Sequence, residues 1–356
     1  MQLCNGLLPG ILGCLFFVLA TTTNADGGNT AIAEYGTKAE EHQQARGIYA
    51  GHCAMCHGDT GEGYKSDYAN ALSNQDFLTT VSDQFLWSAI ARGRPRTAMA
   101  AHLERYGGPL DEMEIDLLVN LIRSWQIEDS VALSPATVTG NAIAARADYA
   151  QHCAACHGDH GQGVNTVSLN NPEFLATASD HQIRRAIAKG RRNTAMIGFE
   201  QSLSSGRIDN LVALIRSWQQ APPQRKIVEH DPLTEEVVIN PKGNPPRFSP
   251  REGRYVSADQ VFEAMQSGAR LVILDSRPTS DWHFSRIPGS VSAPHYDPES
   301  IIDWLPRDGT WIVSYCACPH TYSNALTDKL RAAGFANTVV LDEGFRWWQD
   351  VGYPVE

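Results

Sequence analysis

The chain has 356 residues and a formal net charge of −11, with 40 acidic against 29 basic side chains. That balance argues against a nucleic-acid partner and fits a protein that docks on a basic partner patch. The length suits two or three domains, and beyond Ala20 no stretch is apolar enough to cross a membrane.

Leu7 to Ala20 form an apolar run that is short for a bilayer span and long enough for the apolar region of a secretory signal. Val18-Leu19-Ala20 and Thr23-Asn24-Ala25 are candidate cleavage sites, although no Lys or Arg precedes the run. Ile11-Leu12-Gly13-Cys14 faintly resembles a lipidation box, and an uncleaved anchor is the third alternative. Each version makes residues 1–25 a signal peptide or anchor and predicts a periplasmic location for the rest, attached to a membrane at the N-terminus if at all.

Cys53-Ala-Met-Cys56-His57 returns as Cys153-Ala-Ala-Cys156-His157. Cys-x-x-Cys-His is the attachment signal for a c-type haem. Two thiols add across the two porphyrin vinyl groups, and the adjacent imidazole becomes the proximal iron ligand. Gly-Asp-x-Gly-x-Gly follows in both copies, at 58–63 and 158–163. The repeat continues through Leu72 to Leu78 and Leu169 to Leu175, Thr97-Ala-Met99 and Thr194-Ala-Met196, and an identical Leu-Ile-Arg-Ser-Trp-Gln at 121–126 and 214–219. Domains are therefore expected over 38–128 and 141–220, the first slightly longer after the haem motif and again after the methionine.

Met99 and Met196 are the candidate sixth ligands, because a thioether is soft and favours Fe(II). Their matched placement weighs against two unrelated core methionines. Met55 and Met113 do not align with Met196, and His102, His160 and His181, which lack counterparts, read as surface histidines. Tyr49–Cys56 and Tyr149–Cys156 end short helices. Ser82 and Ser179 read as N-caps of helices running to Gly93 and Gly190. Ile115, Leu118, Leu121, Ile122 and Trp125, with Ile208, Leu211, Leu214, Ile215 and Trp218, form helical apolar stripes that serve both as core and as a haem wall. The arginines at 92/94 and 191/192 either meet haem propionates or form a solvated basic loop. These motifs resemble class I cytochromes c over roughly 40–220. The resemblance implies two all-α domains, two covalently bound haem c groups, His57/Met99 and His157/Met196 ligation, and electron transfer.

Residues 221–250 read as a Pro-rich linker with one short strand at 237–239. Beyond it, elements alternate: a helix from Ser257 to Ser267, buried strands at 271–274, 311–315 and 339–341, and a helix from about Ser323 to Ala333. This predicts an α/β domain over 251–356 with a parallel sheet. Cys316 lies at the C-terminal end of a strand before a helix, where loop N–H groups and the helix dipole lower a thiol pKa. A buried structural cysteine, a strained Cys316–Cys318 disulfide and a Cys316/Cys318/His320 metal site are the competing readings.

Leu274-Asp275-Ser-Arg277, Arg286-Ile-Pro-Gly-Ser290, Tyr315-Cys316 and Leu341-Asp-Glu-Gly344 through Val355 resemble a single-domain rhodanese. The resemblance implies a sulfurtransferase with Cys316 as persulfide carrier in the loop 316–321, with Asp275 and Arg277 structural beside it. Thr321 stands where the family often has an Arg, which puts thiosulfate binding in doubt. His320 is a partial substitute for that charge, and Cys318 is placed to resolve a persulfide.

Three functions remain open on sequence alone: sulfane-sulfur redox chemistry at Cys316 feeding electrons to the haems, a plain dihaem carrier with a docking module, and a sulfurtransferase with a haem redox sensor. The expected partners are another cytochrome or respiratory complex and a small sulfur compound.

Overall fold

The computed structural model describes residues 37–66, 68–225, 227, 237–317 and 320–356. The expectations for the leader and for Cys318 lie outside the described residues.

Helices α1 (Lys38–His52), α2 (Ala54–His57), α3 (Gln75–Leu78), α4 (Asp83–Arg92) and α5 (Glu112–Ser124) build the first repeat. Helices α6 (Arg146–His152), α7 (Ala154–His157), α8 (Pro172–Thr177), α9 (Asp180–Lys189) and α10 (Ser205–Arg216) build the second. Their ends are fixed by short polar side chains. Ser82 and Ser179 Oγ accept from the backbone N–H of Phe85 and Gln182, and Asp111 with Glu114 forms a capping box on α5. The apolar stripes of α5 and α10 are buried.

Two repeated motifs lock onto each other. Gly61 and Gly161 have positive φ and lie against the rings of Trp125 and Trp218, so close that a Cβ would sit 2.5 and 2.6 Å from them. Tyr49 and Tyr149 meet the same tryptophans edge-on at 5.2 and 5.1 Å and donate to Gly58 O and Gly158 O, each at 2.8 Å. The repeated arginine does similar work. Arg123 donates to Leu78 O and Val81 O and pairs with Asp83, while Arg216 donates to Leu175 O and Ala178 O and pairs with Asp180.

The two repeats share one apolar core and meet in a reciprocal seam. Asn74 Nδ2 donates to Arg192 O, and its counterpart Asn171 donates to Pro95 O, each at 2.8 Å. Asp76 pairs with Arg192 of the second repeat, and Glu173, aligned with Asp76, pairs with Arg92 of the first. The asparagine contacts are reciprocal, as in an isologous, pseudo-twofold contact, here made within one chain, while the ion pairs share aligned carboxylates and draw on arginines at different positions of the repeat. Phe85 and Phe174 close it edge to face at 6.2 Å.

His102 is a correction to the sequence reading. It is buried, because its backbone N–H donates to Ile90 O as that of Phe199 does to Ile187 O. It therefore occupies the core position of Phe199.

The last part is a five-stranded parallel sheet of order β1-β5-β4-β2-β3. The elements in chain order are β1 (Tyr255–Val256), α11 (Ala258–Gln266), β2 (Leu271–Asp275), α12 (Thr279–Phe284), β3 (Val291–Ser292), α13 (Glu299–Ile302), β4 (Trp311–Tyr315), α14 (Thr321–Ala332), β5 (Thr338–Leu341) and α15 (Gly344–Asp350). The continuous apolar runs are the central strands, as burial on both faces requires. The edges β1 and β3 have two residues each, too few to carry a pattern. Residues 237–250 pack on this domain rather than hang as linker. Val237 is buried, Ile239 bridges to Leu271, and Phe248 meets Trp311 at 5.5 Å.

Candidate functional site

Cys53 ends the turn after α1, and Ala54–His57 form one further helical turn, so both thiols and the imidazole are fixed by backbone bonds. The second motif repeats this arrangement. His57 Nδ1 donates to Asn70 O at 2.8 Å, and His157 Nδ1 donates to Val167 O at 3.0 Å. Each bond fixes the ring and leaves Nε2 for a metal. Burial lowers both imidazole pKa values, favouring the neutral, ligating form. It also pushes the Cys53 thiol up to about 12 and Cys153 to about 11.

The methionine turns match. Arg94 N donates to Met99 O at 2.7 Å and Arg191 N to Met196 O at 2.8 Å, while Met99 N and Met196 N each donate at 3.1 Å to Thr97 Oγ1 and Thr194 Oγ1. The Thr-Ala-Met motif is thus a hydrogen-bonded turn that holds the thioether at the cavity wall.

One continuous cavity of about 1260 Å³ is lined by Cys53, Cys56 and His57 of the first motif and Cys153 and His157 of the second, by Met99 and Met196, and by Arg94 and Arg191. A single small-molecule pocket spans roughly 300–1,000 Å³. The lining fits a covalent porphyrin. Arg94 is half-buried, its solvent-shielded Nη1 has no hydrogen-bond partner among the described residues, and desolvation lowers its pKa to about 10. An anionic propionate is the group such an atom calls for. Arg191 is half-buried with its guanidinium over the Phe77 ring, whereas Arg92 and Arg192 are spent on Glu173 and Asp76. Of the two arginine pairs, one member each is available to a haem and one holds the seam.

In the α/β domain, β4 delivers Cys316 to the sheet's C-terminal edge. Its sulfur is 3.4 Å from Ser323 Oγ, and its carbonyl accepts from Phe345 N at 2.8 Å. A persulfide carrier calls for a reachable sulfur, and Cys316 is 1 % exposed. Helix α14 begins at Thr321, two residues ahead of expectation, and His320 precedes it in the left-handed region. His320 Nε2 pairs with Asp342 at 2.8 Å, and its ring lies on Tyr255 at 4.3 Å, so the imidazole is engaged by a carboxylate and an aromatic face. Asp275 and Arg277 form a buried ion pair beneath this edge. The guanidinium lies 4.2 Å from the Phe345 ring and donates to Ser285 O.

The residues that join the domains were not singled out from sequence. Tyr322 is 3.9 Å through its hydroxyl from Cys56 Sγ and packs with Cys316, Cys56 and Ala98 in one cluster. Ser66 Oγ bonds Thr321 Oγ1 at 2.5 Å, Ser280 Oγ donates to Ala101 O at 2.6 Å, and His52 meets Tyr296 edge-on at 4.8 Å. Thr321, in place of the expected arginine, is a docking contact. The available signal was the extra length of the first repeat. His57 to Leu72 is 15 positions and His157 to Leu169 is 12, and Ser66 lies in the longer loop.

Comparisons with known proteins match these parts. Residues 257–351 match the rhodanese-like domain family, and residues 140–215 match the family described as cytochrome C oxidase, cbb3-type, subunit III. The dihydro-heme d1 dehydrogenase of Pseudomonas aeruginosa is 30% identical over 207 residues, covering 56% of this chain and 39% of the relative. The cbb3-type cytochrome c oxidase subunit FixP of Bradyrhizobium sp. (strain ORS 278) is 27% identical over 179 residues, 48% of this chain and 58% of the relative. The chain thus spans less than two thirds of either. A rhodanese-related protein from Thermoplasma volcanium is 26% identical, covering 29% of this chain and 97% of that one, with a TM-score of 0.26. The chain contains a rhodanese-like domain with a parallel sheet and a cbb3-type cytochrome c domain. The cytochrome c relatives imply covalently bound haem c. Among the described residues, no helix is long and apolar enough to cross a membrane.

Proposed function

We propose that the chain is an exported electron carrier with two covalent haem c groups, coupled to sulfane-sulfur chemistry at Cys316. Cys53, Cys56 and His57 would hold one haem and Cys153, Cys156 and His157 the other, with Met99 and Met196 as sixth ligands. Bound there, haem supplies reversible one-electron exchange. The net charge of −11 suits docking on a basic patch of a redox partner, another cytochrome or a respiratory complex.

The observation that carries the sulfur half is the cluster of Cys316, Tyr322 and Cys56. A rhodanese-type cysteine packed into the same cluster as a haem-attachment cysteine is what electron exchange between the two chemistries requires. Loading from a sulfane donor breaks the donor's S–S bond, forms one on Cys316, and needs no net electrons. Loading from hydrogen sulfide forms the same bond, breaks two S–H bonds, and releases two protons and two electrons. Two electrons match two one-electron sites.

A second reading, a dihaem carrier whose α/β domain only docks, is favoured by the burial of Cys316 and the engagement of His320 with Asp342. One experiment separates them. Anaerobic ferric protein is mixed with sulfide, the donor whose loading releases electrons, haem reduction is followed optically, and Cys316 is examined for persulfide by mass spectrometry. The sulfur reading expects both signals in wild type and neither in Cys316→Ser. Reduction that persists in Cys316→Ser, with no persulfide on wild type, leaves the docking reading.

A further inference from the structure

We propose that Tyr322 is a positioning residue that makes the first haem site, and not the second, respond to the state of the Cys316 sulfur. The inference deepens the sulfur reading above and rests on it only for the persulfide arm of the test.

Tyr322 sits in the first turn of α14, whose start is pinned to the loop after the first haem motif by the Ser66–Thr321 bond. One face of its ring stacks on His295 at 4.0 Å and an interplanar angle of 7°. His295 is in turn held at its backbone, where its N–H donates to Ser276 O and its carbonyl accepts from Lys329 Nζ. The ring is therefore clamped rather than free to rotate away. It is 7 % exposed and lines the haem cavity, while packing against Cys316 on the sheet side.

The same ring reaches both arms of the first haem site. Its hydroxyl is at Cys56 Sγ, and its cluster includes Ala98, the residue before Met99. A charge appearing on Cys316, as when a thiol becomes a persulfide anion, then acts on the haem edge across one polarisable ring in a water-poor contact, where electrostatic effects are large. Cys156, the counterpart of Cys56, is exposed and lies outside this cluster.

The test is a spectroscopic redox titration of the full-length haem-loaded protein in wild type, Tyr322→Phe and Tyr322→Leu. Each is titrated before and after loading with polysulfide, a step that breaks a donor S–S bond and forms one on Cys316. In wild type, loading changes the reduction equilibrium of one haem about tenfold, which is 59 mV for one electron, and leaves the other unchanged. Tyr322→Phe retains the ring and part of the shift, and Tyr322→Leu loses it. A shift of full size in Tyr322→Leu, or equal shifts of both haems, overturns the proposal.

A second arm needs no persulfide. In the double-mutant cycle of Cys316→Ser with Tyr322→Leu, the effects on the potential of the first haem are non-additive if the tyrosine links the two sites. Additive effects overturn the inference. Absence of persulfide on wild type, with a non-additive cycle, removes the sulfur chemistry and leaves Tyr322 as the link.

Discussion

The two haem-type repeats keep one interior and diverge at their loops. Gly61 against Trp125, Tyr49 on Gly58 O, Arg123 on Leu78 O and the methionine turn recur as Gly161 against Trp218, Tyr149 on Gly158 O, Arg216 on Leu175 O and the second methionine turn. The divergence falls where the first repeat is longer, and it is these loops, around Ser66 and beyond Met99, that meet the α/β domain. An interior that must wrap a large flat cofactor tolerates little change, while a surface loop is free to become a contact. The difference teaches that the first copy is specialised for docking, while the second leaves Cys156, the counterpart of Cys56, exposed.

The largest effect is expected from the part the copies share. Cys53→Ala with Cys56→Ala, or Cys153→Ala with Cys156→Ala, should each remove one covalent haem. A pyridine haemochrome assay should give two haems per chain in wild type and one in either variant. Two haems in either variant would end the claim that the copies are equivalent as attachment sites.

Position 102 sharpens the comparison, because the second copy places Phe199 there. Burial, reinforced by His52, His57 and His295, lowers the His102 pKa from 6.5 to about 4. The unfolded chain takes up the proton first. Stability is therefore intact above about pH 6.5 and is lost as pH falls toward 4. Over that window the loss approaches about 3 kcal/mol for a fully buried histidine. His102→Phe should flatten the pH dependence of denaturant unfolding between pH 6.5 and 4 by one proton's worth. An unchanged slope would mean that the imidazole is not held neutral by the fold.

Much of this architecture was legible in the chain. Repeated motifs gave two helical repeats with matched Cys-x-x-Cys-His turns, and the apolar runs gave β2, β4 and β5. What escaped was long-range. His102 had no sequence counterpart because its partner in the alignment is a phenylalanine of the same burial. The seam escaped because its contacts, Asn74 to Arg192 and Asn171 to Pro95, join residues whose roles appear only when the copies are set face to face. Tyr322 and Thr321 looked like ordinary helix-start residues, since nothing local marks a contact some 255 positions away.

The seam itself offers a graded test. Glu173 and Asp76 are aligned and both pair across it, but the Glu173 side chain is 2 % exposed and that of Asp76 is 19 %. Glu173→Ala leaves Arg92 with only the Tyr106 hydroxyl, and its one-third exposed side chain can partly rehydrate. The expected cost is about 1–3 kcal/mol, below that of breaking a fully buried pair. Asp76→Ala should cost about 1 kcal/mol or less, because Arg192 retains Glu128 and water. Chemical unfolding of both variants measures the difference. Equal costs would show that the pseudo-twofold relation extends to energetics as well as to contacts.

The smallest effect should come from the docking loop, and it isolates what the first copy gained. Ser66 sits in the longer loop after the first haem motif, and its hydroxyl bonds Thr321 Oγ1 at the start of α14. Ser66→Ala removes one partly buried hydroxyl bond, for a loss of about 0.5–1.5 kcal/mol. That is too little to unfold either domain but enough to raise the opening rate of the contact between them. Hydrogen exchange should therefore speed up several-fold in the first turn of α14 and in residues 64–71, and stay unchanged around His157. Thr321→Val should reproduce the pattern, since it removes the other partner of the same bond at similar volume. If exchange rises equally in both repeats, the loop acts on the shared core, and its extra length is not a docking feature. A rise confined to α14 and the first repeat ties the lengthened loop to the junction where Tyr322 lies between Cys316 and Cys56.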